Sequence, residues 1–107
     1  MNILHLTLTY QWYDMIEAGI KTEEYREIKP YWATRLIYPH ESEDGNFEPH
    51  FVDFIQFDQI IFHRGYSKGH KTMSFQHLGT EIDVPKTEWS GNMQGDHFIL
   101  KLGERIC

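Results

Sequence analysis

At 107 residues, with 40% hydrophobic and 15% aromatic residues, the chain is the size of one folding unit and has enough apolar side chain for one core. That excludes a multidomain reading and disorder as the main state; the whole of 1–107 is expected to be a single domain. Ten Lys and Arg against sixteen Asp and Glu give a formal net charge of −6.

The single cysteine, Cys107, forms no intramolecular disulfide and supplies no thiolate cluster, so a reducing, cytoplasmic setting is expected. Met1 to Tyr13 carries no Lys, Arg, Asp or Glu, but Asn2, His5, Thr7, Thr9 and Gln11 interrupt its apolar side chains and no basic stretch precedes them. Neither a signal peptide nor a membrane span is expected.

From Ile3 to Leu8 apolar Leu4, Leu6 and Leu8 alternate with Ile3, His5 and Thr7, which predicts a strand with the leucines inward. Thr9 offers an N-cap oxygen, Trp12, Met15 and Ile16 recur at helical spacing, and Gly19 supplies a left-handed stop, so a short helix is predicted from about Tyr10 to Ala18. Thr22 to Ile28 reads as extended, with Thr22, Glu24, Arg26 and Ile28 on one face and Glu23, Tyr25 and Glu27 on the other. Pro30 suits the first turn of a further helix carrying Trp32 and Leu36.

Between His40 and Asp58 lie Glu41, Glu43, Asp44, Glu48, Asp53 and Asp58 with no Lys or Arg, and those six equal the net acidic excess. The segment 40–58 is expected to be an exposed acidic insertion, since like charges favour solvation. Phe51, Phe54 and Ile55 fit one helical turn, whereas Gln59 to His63 reads as a buried strand. Gly65 and Gly69 bracket a loop before a strand at Met73 and Phe75, and Phe98, Leu100 and Leu102 share one face of a last strand. Mostly antiparallel strands with a helix after the first predict an α+β fold, a small antiparallel β-barrel with short helices at its rim.

Two clusters of positive charge stand out. Lys21, Arg26, Lys29 and Arg35 form one; Arg64, Lys68 and Lys71, with His63, His70 and the candidate stacking ring Tyr66, form the other. Phosphate donors beside an aromatic ring and two glycines suit a nucleic-acid contact. His63, His70 and His77 are spaced by seven, an odd step that places successive residues on opposite faces of an extended chain, so no metal site is expected. Trp12, Trp32 and Trp89 are expected to be core or rim packing, with Trp89 beside the Ser90-Gly91-Asn92 bend the one nearest a possible site.

The run Gly19-Ile20-Lys21-Thr22-Glu23-Glu24-Tyr25-Arg26, placed after a strand and a helix, resembles the G-x-K-T-x-E-x-R hallmark of the ASCH domain, a branch of the PUA-like superfamily. The likeness runs from Leu4 through Leu36 and returns weakly at His97 to Gly103. It implies a PUA-like barrel and a cleft beside the motif that binds RNA or a modified nucleoside or nucleotide, with Lys21, Thr22, Glu24 and Arg26 at the cleft and no cofactor.

One branch of that family hydrolyses the acyl amide of N4-acetylcytidine with a Lys, a Thr and a Glu. Its Lys falls on Lys21, and its Thr falls on Glu24, so this chain has a carboxylate where the hydrolase has a hydroxyl. Glu81 and Glu88 are the candidates for the branch's later Glu.

By its chemistry, Glu24 accepts from an exocyclic amine while Lys21 and Arg26 donate to phosphate or base carbonyl oxygens. A Lys beside another cation and partly desolvated also serves as a base. A binding module is therefore the first expectation. A hydrolase of N4-acylated cytidine using Lys21 and Glu24, or a ribonuclease, is the alternative, and a protein-interaction role for the acidic segment is the third.

Overall fold

The computed structural model describes residues 1–38 and 53–107. Strand β1 (Ile3–Leu8) buries Leu4, Leu6 and Leu8, as its alternation requires. Helix α1 (Tyr10–Glu17) follows from Thr9, whose extended backbone sits at the N-cap without a side-chain cap bond, and Gly19 at φ +77° ends the turn beyond it. The buried stripe of α1 is Tyr13 and Ile16, while Trp12 is only half-buried.

Strand β2 (Glu23–Glu27) leads to α2 (Pro30–Leu36), which begins at its proline. Strands β3 (Gln59–Arg64) and β4 (Thr72–Asp83) form the expected hairpin around Gly65 and Gly69. A one-turn helix α3 (Thr87–Ser90) precedes β5 (His97–Arg105).

The five strands form one sheet in the order β1-β3-β4-β5-β2. Three pairings are antiparallel, as expected, but β1 and β3 are parallel. The reason is the connection: the chain crosses through α1, β2 and α2 before β3, a crossover that brings it back in the same direction. The small barrel expected from the sequence takes the form of a curled half-barrel, in which β1 and β2 stand at the two edges and do not pair with each other.

Strand β4 runs seven residues past Gln76, farther than the alternation at Met73 and Phe75 suggests. Met73, Phe75 and His77 keep the buried alternation with Leu78 exposed, and beyond His77 the register shifts on either side of it change the inward face from odd to even positions, so that Ile82 packs against the core.

Inside the curl, Leu6, Ile60, Phe62, Phe98 and Leu100 are at most 1% exposed, with Tyr13 and Ile16 of α1 and Leu36 of α2 closing over them. Phe54 packs its edge on the Phe98 ring, centroids 6.1 Å apart. It belongs to no helical turn: it forms an isolated antiparallel bridge with Ile37, and Phe51 lies outside the described residues.

Of the acidic segment, Glu41, Glu43, Asp44 and Glu48 also lie outside the described residues, while Asp53 and Asp58 are exposed. Backbone bonds from Tyr38 N to Asp53 O (2.9 Å) and Ile55 N to Leu36 O (2.8 Å) join the chain before the segment to its last third. No described helix is long and apolar enough to cross a membrane.

Candidate functional site: a cleft at the seam between the edge strands

An edge strand ordinarily presents a row of unpaired backbone groups. Here β2 is covered on both faces, with Glu23, Glu24 and Tyr25 all at most 4% exposed. Glu23 and Tyr25 take one side: the Tyr25 hydroxyl donates to Glu23 Oε1 (2.8 Å), and Lys101 forms an ion pair with Glu23 Oε2. Burial pushes the Glu23 carboxyl up, but the hydrogen bonds from Lys101 and Tyr25 outweigh it and hold the group below its ordinary range. Burial and the bond to Glu23 drive the Tyr25 hydroxyl well above the ordinary tyrosine value.

Glu24 and Arg26 take the other side and close the gap between the edges. Glu24 Oε1 accepts from Lys21 Nζ (3.0 Å) and from the Tyr25 backbone N–H (2.9 Å). Arg26 donates through Nη1 to Tyr25 O (2.8 Å) and through Nη2 to Thr7 O on β1 (3.3 Å), so one guanidinium spans from β2 to β1. Its Nη1 also lies 3.4 Å from Glu24 Oε2 in an ion pair, but Oε2 is buried and accepts no hydrogen bond. Two cations thus share one carboxylate.

A cleft of about 440 Å³ opens at this seam. Lys21, Glu24 and Arg26 line it together with Trp12, Trp32 and Trp89. Lys21 Nζ lies 4.5 Å from the Trp12 ring centroid, and the Arg26 guanidinium lies 5.0 Å from that of Trp32. All three tryptophans, expected as core or rim packing, therefore wall the cleft. Periodicity could not show this, since Trp12 sits on a helical stripe whether it faces the core or the seam. Tyr31, Tyr66 and His5 also contribute, and Tyr66 is 89% exposed.

The remaining residues singled out in the sequence lie elsewhere. Thr22 is exposed and does not line the cleft; its carbonyl accepts from Leu102 N. Arg64 is held by Asp14 of α1 through two bonds of 2.9 and 3.0 Å, and Lys71 by Glu17 at 3.0 Å, so α1 neutralises two cations of the hairpin. Lys68 is exposed and makes no ion pair among the described residues. Glu81 pairs with Lys101, and Glu88 is exposed in the first turn of α3; neither lines the cleft.

The histidines depart from the odd-step argument. Because a turn separates them, His63 and His70 meet across the hairpin, with Nδ1 of the first 2.8 Å from Nε2 of the second. His5 joins them from β1. His77 stands apart: its Nδ1 accepts from Phe57 N (3.0 Å), so its Nε2–H donates to Thr80 Oγ1 (2.9 Å), and burial lowers its pKa. Among the described residues no group of three or more His, Cys, Asp or Glu is placed to hold a metal ion.

Burial lowers the pKa of Lys21, and the Glu24 carboxylate only partly restores it. In the window between that lowered value and the ordinary 10.5, the unfolded chain binds more protons at this site than the folded one, so the site's contribution to stability rises with pH. Lys21→Met should remove that rise. The check is the difference in urea midpoint between native and variant proteins from neutral pH to about pH 10, just below the ordinary Lys value. A difference that does not change with pH would refute a buried, charged Lys21.

No family model, no curated protein and no solved structure matches this chain.

Proposed function

We propose that the protein is a binding module for RNA or a modified nucleotide that takes one base into the cleft at Lys21, Glu24 and Arg26. The observation that carries this reading is Glu24 Oε2, a buried carboxylate oxygen with no hydrogen bond in a cleft walled by three indoles. A buried acceptor left over is costly unless a donor arrives, and an exocyclic amine on a planar base is such a donor. Indole faces supply the stacking that single bases require, and the two cations give the site a net positive charge.

Because every tryptophan of the chain lines the cleft, base binding should quench the intrinsic fluorescence. Cytidine should bind at least about tenfold more tightly than uridine or N4,N4-dimethylcytidine, which lack the amine donor, a difference of about 1.4 kcal/mol. Equal affinity for all three would overturn the assignment of Glu24.

A hydrolase of N4-acylated cytidine is the second reading, favoured by Lys21, a 2%-exposed amine with lowered pKa in the same cleft. Glu24 in place of a hydroxyl leaves that reaction to an activated water. Release of cytidine from N4-acetylcytidine by the native protein, lost in Lys21→Met, would rank the hydrolase first.

A further inference from the structure

Three imidazoles form a hydrogen-bonded chain that ends at the cleft. His70 Nδ1 lies 2.7 Å from Ser67 O, His63 Nδ1 lies 2.8 Å from His70 Nε2, and His5 Nδ1 lies 2.9 Å from His63 Nε2. A carbonyl only accepts, so His70 Nδ1 carries a proton. In the neutral chain each remaining link then has one possible direction: His63 Nδ1–H donates to His70, and His5 Nδ1–H donates to His63. His5 Nε2 is left bare, without a partner among the described residues, on an exposed residue that lines the cleft.

This wiring offers four proton positions: the anchor to Ser67, the two links and His5 Nε2. Three are filled when all the rings are neutral. One more proton enters at His5 Nε2, and its charge moves inward as each link proton shifts to the next ring. A second extra proton would set two N–H groups head to head across a link. We propose that His5, His63 and His70 act as a single one-proton unit whose entry is His5 Nε2, and that this unit is the subsite for the phosphate ester of a nucleotide held in the cleft. That the phosphate ester belongs to a nucleotide rests on the base-binding reading above, whereas the one-proton behaviour and the affinity for a phosphate ester do not.

The surroundings suit a cation that forms on demand. Among the described residues, only the other two imidazoles oppose His63's charge beyond the burial that lowers its pKa. From the hairpin, Arg64 and Lys71 are already held by Asp14 and Glu17, which leaves Lys68 and Tyr66. From β2, Arg26 and Glu24 are engaged with each other, and Tyr31 comes from α2. Among the described residues no carboxylate is hydrogen-bonded to the three rings, so an incoming anion is their natural counter-charge.

The test begins with ring signals of isotope-labelled protein followed by NMR from about pH 8 to pH 5, the range in which an imidazole ordinarily changes charge. His5, His63 and His70 should move together with one midpoint and a total uptake of one proton. Three separate midpoints would overturn the unit. Dimethyl phosphate and cytidine 5′-(methyl phosphate) keep a single negative charge over this range, so any pH dependence of their binding belongs to the protein.

The nucleotide ester should bind about tenfold more tightly at the low end of the range than at the high end, since a charge-assisted bond is gained, while cytidine should not change. His5→Gln should lose that gain, so that its affinity for the nucleotide ester is the same at both ends of the range. If cytidine fails to bind but dimethyl phosphate raises the joint midpoint, the base reading falls and the phosphate subsite stands. If neither ester moves the midpoint, the subsite falls whatever the base does.

Discussion

Glu24→Ala should lower folding stability by about 3–5 kcal/mol, the range expected when one partner of a buried ion pair is removed and the other stays. The case is stronger here than for a simple pair, because one carboxylate serves both Lys21 and Arg26 and also accepts the Tyr25 N–H. Removing it leaves two cations and a buried backbone donor without their common acceptor. Urea unfolding at neutral pH measures the loss. Since Lys21 already has a lowered pKa, losing Glu24 should lower it further, and the deficit should shrink as pH rises and the amine discharges. A loss below about 1 kcal/mol would mean that these groups behave as a surface ion pair does.

Arg26→Ala should cost about 2–3 kcal/mol, the scale of hydrogen bonds to a charged group. It removes the single side chain that ties Thr7 O on β1 to Tyr25 O on β2. Arg26→Lys should recover less than half of the loss, because an ammonium on a flexible stem does not present the planar fork that reaches both carbonyls and covers Trp32. Full recovery by Lys would show that charge alone, and not the span between edges, holds the seam. Chemical denaturation of the two variants decides between these outcomes.

Most of the elements were legible in the sequence because their signals are local. Leu4, Leu6 and Leu8 state a strand face, Gly19 states a helix end, and the Glu24 and Arg26 alternation places both side chains on one side of β2. The open seam was not legible, since whether β1 and β2 pair depends on how far the sheet curls, which no residue spacing encodes. The extension of β4 was hidden by its register shifts. The indole walls and the imidazole chain are assembled across elements far apart in sequence, as His5 and His63 show, so a reading along the chain meets them only as isolated rings. Conversely, the basic hairpin looked like free charge because Asp14 and Glu17, which neutralise two of its three fixed cations, belong to a helix fifty residues earlier.

The Ile37–Phe54 bridge, with the bonds from Tyr38 to Asp53 and from Ile55 to Leu36, brings the chain back to nearly the point from which it departs. The body of the protein itself therefore holds Tyr38 and Asp53 side by side, and joining two ends so held becomes costlier by only about 0.6 kcal/mol for each doubling of the length between them. For the experimenter, Tyr38 and Asp53 are thus a fixed pair of anchor points, between which a dye, an affinity handle or a tether to a surface can be grafted with the fluorescence of the tryptophan-lined cleft as the check that the fold is kept.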